Sequence, residues 1–364
     1  MEYYLNASME DFLEGDKKVR HRCKPRKAAK ILLSKSNLKH SKFFTGFDSY
    51  CVYDTKKRVY FEYKKGDFIL IVTQILDIAE YSSITEYDYV KKVVDNLGTF
   101  KGHAMLGVPR INPDILVFNN CIFDLESKTA KDFDPKYLVF SHVPFDYTEN
   151  TEMPCFDEFL DNFCEGHEDR IKFVRCFLYT VLYGLGSMQL FFHFFGLGGS
   201  GKSTLANVAQ CLVGKESCIT TSLKRLSGDQ FEIVNLVNKK FILIAENENW
   251  SDDTSILKNI TGGDTLPGRK KHLQGSFEVN ISGVLAIFNN SKFNTRDESG
   301  AIQRRIKQFR ADNQVKVQKD LLRYGTRKGW EGLLVKEIPA ILNWVVGLER
   351  TEVEGFLNNI VTSM

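Results

Sequence analysis

Residues 190–214 read LFFHFFGLGGSGKSTLANVAQCLVG. The first six are aromatic-rich and β-prone. A glycine-dense turn follows, and TLANVAQCLVG then has the spacing of a helix closed by Gly214. Between them, Gly196 to Ser203 fit GxxxxGK[ST] in full. Glycines let successive backbone N–H groups curl around a phosphate, and the start of the following helix adds its positive dipole end. The stretch therefore predicts strand, phosphate loop and helix, the opening unit of an α/β nucleotide-binding core. Gly196, Gly198, Gly199, Ser200, Gly201, Lys202, Ser203 and Thr204 form the binding loop. Lys202 is expected to reach the β and γ phosphates, and Ser203 to ligate Mg²⁺. His193, within the preceding strand, reads as a buried core histidine.

Such a loop needs acids on a neighbouring strand. Lys239 to Ala245 (KKFILIA) has a buried-strand pattern and runs into Glu246-Asn247-Glu248. One carboxylate there is suited to the Mg²⁺ shell and another to polarising an attacking water. Spacing alone leaves the division open, with Glu246 favoured for the metal. A further strand, Gly283 to Phe288, ends in Asn289-Asn290, where an amide is placed to orient water, although Asn-Asn is also ordinary turn chemistry. Next comes QRRIKQFR (303–310), with four bases and no acid. Arg305 reads either as a finger reaching a neighbouring subunit's γ-phosphate or as part of a solvated basic strand edge.

The chain has 364 residues, of which 43% are hydrophobic, 26% charged and 12% aromatic, the profile of a folding protein of two or three domains. Its eight cysteines form no CxxC pair, which argues against a disulfide framework or zinc ribbon. Cys155, Cys164, His167 and Cys176 have irregular spacing and do not imply a metal site. The first sixteen residues carry five acids and no base, unlike a targeting peptide. The most apolar window, Phe177 to Phe195, is broken by Gly184, Gly186, Ser187, Gln189 and His193, and makes a poor membrane span. A soluble, intracellular protein without membrane partners is expected. Net charge is +3, yet residues 17–42 hold eleven Lys/Arg and no acid. That run fits docking on phosphate backbones, a solvated helix face or a localisation tag equally well.

Further out, YCVYDT, RVYFEYKK and DFILIVTQI (within 45–75) read as strands, the last two joined by a Gly66-Asp67 hairpin. Residues 115–124 add an extended pair around Asn119-Asn120. Pro135, Pro144 and Pro154 punctuate a loop-rich stretch, in which Asp132 and Asp134 read as a turn. Helical patterns begin at Asp157 and Arg170, and helix returns after about Phe309, including an apolar one opened by Pro339.

The order of these motifs (phosphate loop, strand ending in acids, basic hairpin, strand ending in Asn, Arg) resembles the superfamily three helicases, in particular the phage/plasmid and poxvirus-type primase–helicase branch. LKNITGGDTLPGRKKH (257–272), SGAIQRRI (299–306), the CIFDLES (121–127) and FDYTENTEMPCFDEFLDNF (145–163) segments, and KEIPAILNWVVGL (336–348) carry the likeness beyond the bare motifs. The resemblance implies an AAA-like P-loop ATPase core working as a hexameric, ATP- and Mg²⁺-dependent DNA motor of replication. Lys202, Ser203, Glu246, Asn290 and Arg305 fall on the family's ATPase positions, with Glu248 as the second acid. Lys270, Lys271 and His272 fall near a hairpin tip that follows single-stranded or forked DNA. Two departures stand out. The acids are separated by Asn247, and about 110 leading residues are too few for the primase domain of larger relatives.

The resulting expectation is a helicase module without primase, partnered by DNA, by copies of itself and by a separate primase or polymerase. Its regions are a small mixed α+β segment (1–110), a pre-motor domain (111–187), the ATPase core (188–310) and a helical C-terminal segment (311–364). Another P-loop ATPase for signalling or packaging is a rival reading. So is a nucleic-acid-binding adaptor with a vestigial motor.

Overall fold

The computed structural model describes residues 12–14, 21–77, 86–244, 255–270, 277–292, 300–314, 320–325 and 329–360. The chain divides into two compact units. One comprises Met1–Asn112 with Phe133–Phe140, the other Pro113–Asp132 with Ser141–Met364.

In the first unit, strands Lys42–Phe44, Ser49–Asp54 and Val59–Tyr63 form an antiparallel sheet. Helices Pro25–Lys35, Lys65–Asp77 and Tyr87–Leu97 share a core with it, centred on Leu32, Phe43, Tyr50, Phe68, Val72 and Val93. The helix Lys65–Asp77 replaces the expected strand DFILIVTQI and its Gly66-Asp67 hairpin. The reason lies in the spacing: Phe68, Ile69, Ile71, Val72, Ile75 and Leu76 are the buried positions, a 3.6-residue stripe. The run of β-branched residues conceals that period when read one residue at a time. Helix Pro25–Lys35 opens with Pro25 in its first turn and buries Ala28, Ala29, Leu32 and Leu33.

The second unit begins with a three-stranded antiparallel sheet, Ile115–Val117, Ile122–Asp124 and Thr129–Lys131. Two helices follow, α1 (Pro154–Cys164) and α2 (Glu168–Tyr183). Then comes a sheet of β1 (Phe191–Phe195), β2 (Cys218–Thr221), β3 (Phe241–Ile244), β4 (Val284–Phe288) and β5 (Ile306–Arg310). Helix α3 (Lys202–Val213) leaves β1 through the glycine loop, and the single turn α4 (Ala301–Arg305) leads into β5. The spatial order is β2-β3-β4-β1-β5, with every pairing parallel. Alternate residues point to opposite faces: Phe192, Phe194, Phe241 and Ala286 join the larger core, while Phe191, Ile242, Leu285 and Ile287 join a second one. Both faces are thus covered, as a parallel sheet requires.

After β5 the chain makes a short antiparallel pair, Arg323–Gly325 with Gly329–Glu331, before helices α5 (Ile338–Val346) and α6 (Arg350–Asn359). Among the described residues the C-terminal segment is therefore helical only beyond that hairpin. Two buried lysines tie helix ends to the sheet. Lys240 Nζ donates to the Leu182 carbonyl at the end of α2 (2.8 Å), and Lys307 Nζ donates to the Ile360 carbonyl after α6 (3.0 Å). Among the described residues no helix is long and apolar enough to cross a membrane.

Candidate nucleotide site

All five strands run in one direction, so the turn after β1 lies at the carboxyl edge of the sheet, where α/β folds gather ligands. The turn's shape depends on glycines at two places. Gly196 has φ +131°, and a Cβ there would collide with the Ala311 carbonyl. Gly201 has φ +96°, and its Cβ would stand 2.8 Å from Phe159 Cε2. Both positions are closed to other residues. Gly201 is also the N-cap of α3, so the first backbone N–H groups of that helix face the loop.

Lys202 is buried at 7% exposure and folds back over the loop. Its Nζ donates to the carbonyls of Leu197 (2.7 Å) and Gly196 (2.9 Å) and to Ser200 Oγ (3.3 Å). Burial pulls its ammonium below the ordinary lysine range, with Asp312 pulling the other way. A triphosphate offers the same donors better acceptors, so this lysine is placed to exchange carbonyls for phosphate oxygens. The segment after β5 braces the loop from outside. Leu197 N donates to Ala311 O (3.1 Å), and Gln314 Nε2 donates to Gly198 O (2.8 Å).

A cavity of about 400 Å³ opens beside the loop. Gly198 to Thr204 line it together with Asn290, Leu321 and Cys155, Glu158, Phe159, Asn162 and Phe163 of α1, which packs against Gly201. Asn290 is thereby brought together with Lys202, Ser203 and Thr204. The sheet order explains it, since β4 lies directly beside β1 and its tip emerges next to the loop. That tip is pinned from behind: Asn289 N donates to Phe194 O, and His193 Nε2 meets Asn289 Oδ1 at 2.9 Å. On its other side His193 Nδ1 accepts from Gln308 Nε2 of β5 at 3.2 Å. Burial drives the imidazole pKa down to about 4, so it is neutral at physiological pH. His193 is a core histidine, as its position in the strand predicts, and it links three strands immediately behind the cavity.

Arg305 stands elsewhere. It ends α4 just before Ile306, which pairs with Phe191 at the amino end of β1. The five-residue strand β5 separates it from the loop edge by about 16 Å. Its Nη1 donates to Ala301 O (3.2 Å), its Nε is buried without a partner, and among the described residues it has no carboxylate partner. β3 ends at Ile244, and Glu246 and Glu248 lie outside the described residues. Strands Leu266–Gly268 and Phe277–Val279 pair antiparallel, and Lys270 leaves the first of them; Lys271 and His272 lie outside the described residues. Ser203, in the first turn of α3, is exposed to the cavity. Among the described residues no group of three or more His, Cys, Asp or Glu is placed to hold a metal.

Sequence reasoning missed the α1 wall. Cys155, Glu158, Phe159, Asn162 and Phe163 recur at helical spacing on one face, but that stripe reads as an amphipathic helix with no functional mark. It also missed Glu337, whose carboxylate accepts from Phe156 N (2.9 Å) and Cys155 N (3.0 Å) and so caps the start of that wall.

Two family models match the chain in the regions that build this cavity. One, described as D5 N terminal like, matches residues 108–165 and includes the α1 wall. The other, a family of unknown function (DUF5906), matches residues 194–305 and includes the loop and Asn290. Two uncharacterized mitochondrial proteins of Marchantia polymorpha are similar in sequence. To ymf21 the chain is 27% identical over 149 residues, 38% of its own length and 82% of that protein. To ymf20 it is 30% identical over 109 residues, 29% of its own length and 64% of that protein. Among solved structures, the A form apo structure of the NrS-1 C terminal region is similar in fold over 91% of this chain and 72% of that one, with TM-score 0.54 and 16% identity. The apo structure of its residues 305–718 gives TM-score 0.53 over 94% and 73%, also at 16% identity. The likeness is one of fold: a mixed α/β chain with a five-stranded parallel sheet.

Proposed function

We propose that this chain is the ATP-hydrolysing helicase or translocase module of a replication protein of the primase–helicase kind, with an AAA-like core of the superfamily three type. The observation that carries the reading is the gathering of Gly198–Thr204 and Asn290 on one cavity while Arg305 stands at the opposite edge of the sheet. In this reading the loop N–H groups and Lys202 hold the β and γ phosphates of ATP, and Asn290 orients the lytic water. Ser203 and Glu246 would hold Mg²⁺, which neutralises phosphate charge when bound. Glu248 is the candidate base.

Arg305 cannot serve the loop of its own chain across the length of β5. It serves the site of a neighbour, its guanidinium, with Nε lacking a partner and no carboxylate beside it among the described residues, suited to a γ-phosphate. A head-to-tail contact of that type closes into a ring, here a hexamer. Lys270, with Lys271 and His272, then grips single-stranded or forked DNA by its phosphates. A separate primase or polymerase is the expected partner in replication. The match to the D5 N terminal like model supports the reading.

The test is ATP hydrolysis with and without single-stranded DNA, by wild type, by Arg305→Ala and by mixtures of Arg305→Ala with Lys202→Ala. DNA stimulation and recovered activity in the mixture are expected. Hydrolysis that DNA leaves unchanged, or no recovery in mixtures that co-assemble, overturns the motor reading.

A further inference from the structure

The α1 residues that line the cavity are chemically unlike those of the loop. Cys155, Glu158, Phe159, Asn162 and Phe163 occupy positions i, i+3, i+4, i+7 and i+8 of one helix, so a single face looks into the space. That face combines a packed aromatic row, in which Phe159 and Phe163 are buried, with an exposed polar edge. Phe159 and Phe163 stack on each other (5.4 Å, 18° between planes), and Phe163 stacks on Phe309 of β5 (4.9 Å, 2°). Leu321, half-buried, adds apolar surface to the same cavity. Glu158 and Asn162 lie one turn apart on the exposed edge, where Asn162 Nδ2 donates to Glu158 O (2.7 Å) and Asn162 O accepts from Asn313 Nδ2 (2.8 Å).

The charge of Glu158 decides what this wall can hold. A carboxylate repels phosphate oxygens, so it does not belong at the phosphate end of a bound nucleotide. A carboxylate is an acceptor-only group, and the donors a nucleotide offers are its ribose hydroxyls and the exocyclic amine of its base. Apolar surface from Leu321 and Cys155 beside an acid and an amide is the composition of a nucleoside pocket. We infer that the edge of α1 carrying Cys155, Glu158 and Asn162 is the nucleoside subsite, with the sugar or base amine donating to Glu158 and the ring system against Leu321. This rests on the reading of Gly196–Thr204 as the phosphate site and adds the end of the ligand that the loop motif leaves unassigned. α1 lies inside the region matched by the D5 N terminal like model, so that region would supply half of the nucleotide site.

The experiment compares ATP with inorganic triphosphate, each with Mg²⁺, by titration calorimetry on wild type, Glu158→Ala and Lys202→Ala. Glu158 is exposed, and a thermal melt of each variant controls for folding. Wild type is expected to bind ATP at least tenfold more tightly than triphosphate. Glu158→Ala should weaken ATP about fivefold while leaving triphosphate unchanged or tighter. Equal wild-type affinities, or a Glu158→Ala effect alike on both ligands, overturns the nucleoside assignment while the loop reading stands. Full ATP affinity in Lys202→Ala overturns the loop reading instead.

Discussion

His193 Nε2 donates to Asn289 Oδ1 across 2.9 Å, and this contact fixes the β4 tip from which Asn290 enters the cavity. The direction follows from the opposite side of the ring. Gln308 Nε2 can only donate, so His193 Nδ1 accepts and the ring proton sits on Nε2. The arrangement requires a neutral imidazole, and burial supplies it by lowering the pKa to about 4.

The same contact makes stability depend on acid. Unfolded, this histidine titrates near its ordinary value of about 6.5. Between there and about 4 the unfolded chain binds a proton that the folded chain refuses. The contribution is therefore complete above pH 6.5 and is lost as pH falls through that window, on the order of 3 kcal/mol in all. Urea denaturation of wild type against His193→Gln at pH 7.5 and 4.5 measures it. The loss of stability on acidification should be smaller in the variant, and equal losses would remove His193 as the cause.

Glu337 predicts a second effect, on the far wall. Its carboxylate takes the N–H groups of Cys155 and Phe156, donors that a helix start leaves without intrahelical partners, and Met153 at the N-cap supplies no side-chain acceptor. Hydrogen bonds to a charged acceptor in a buried place are among the stronger ones. Glu337→Ala should cost about 2 kcal/mol by denaturant titration. Glu337→Asp should recover little, because the shorter side chain withdraws the acceptors. A cost below about 0.5 kcal/mol would mean that water serves these groups instead.

How much of this was legible in the sequence follows from the range of each interaction. The β1–loop–α3 unit is local, and its glycines, lysine and hydrophobic spacing mark it without help from the rest of the chain. The strand order is not local. Nothing in KKFILIA or GVLAIF says that β4 lies between β1 and β3, although that order brings Asn290 to the loop. Glu337 caps a helix some 180 residues before it, and KEIPAILNWVVGL reads as a plain apolar helix with a charged lead. Glu158 and Asn162 look like a solvated helix edge until the cavity they share with the loop is seen. The misread segment 67–75 failed for a different reason, since β-branched residues placed at helical spacing give two conflicting signals.

The loop glycines differ in what they tolerate. At Gly198 φ is not in the left-handed region, and a Cβ would meet nothing within 4 Å, whereas Gly201 combines φ +96° with a wall of Phe159 and Phe163. Gly198→Ala should stay within about 0.5 kcal/mol of wild type. Gly201→Ala should lose roughly 1–3 kcal/mol and abolish nucleotide binding, because relief of the clash moves the first turn of α3. Paired melts, with and without ATP, separate the two. Equal behaviour of the variants would show that the loop relaxes freely.

Lys240 offers a test at alkaline pH. It is fully enclosed, caps the last turn of α2 through Leu182 O, and burial brings its pKa down to about 8. In the unfolded chain a lysine titrates near 10.4. Between those values the unfolded state holds the proton and the folded state has released it, so this group's contribution rises with pH across the window. Below pH 8 both states carry the charge and the burial penalty is felt in full. Wild type should therefore gain roughly 2 kcal/mol on Lys240→Met between pH 8 and 10, a difference in which every other titrating group cancels. If the two proteins keep a constant difference over that range, the ammonium remains protonated inside the fold, and the carbonyl of Leu182 holds it more strongly than burial opposes it.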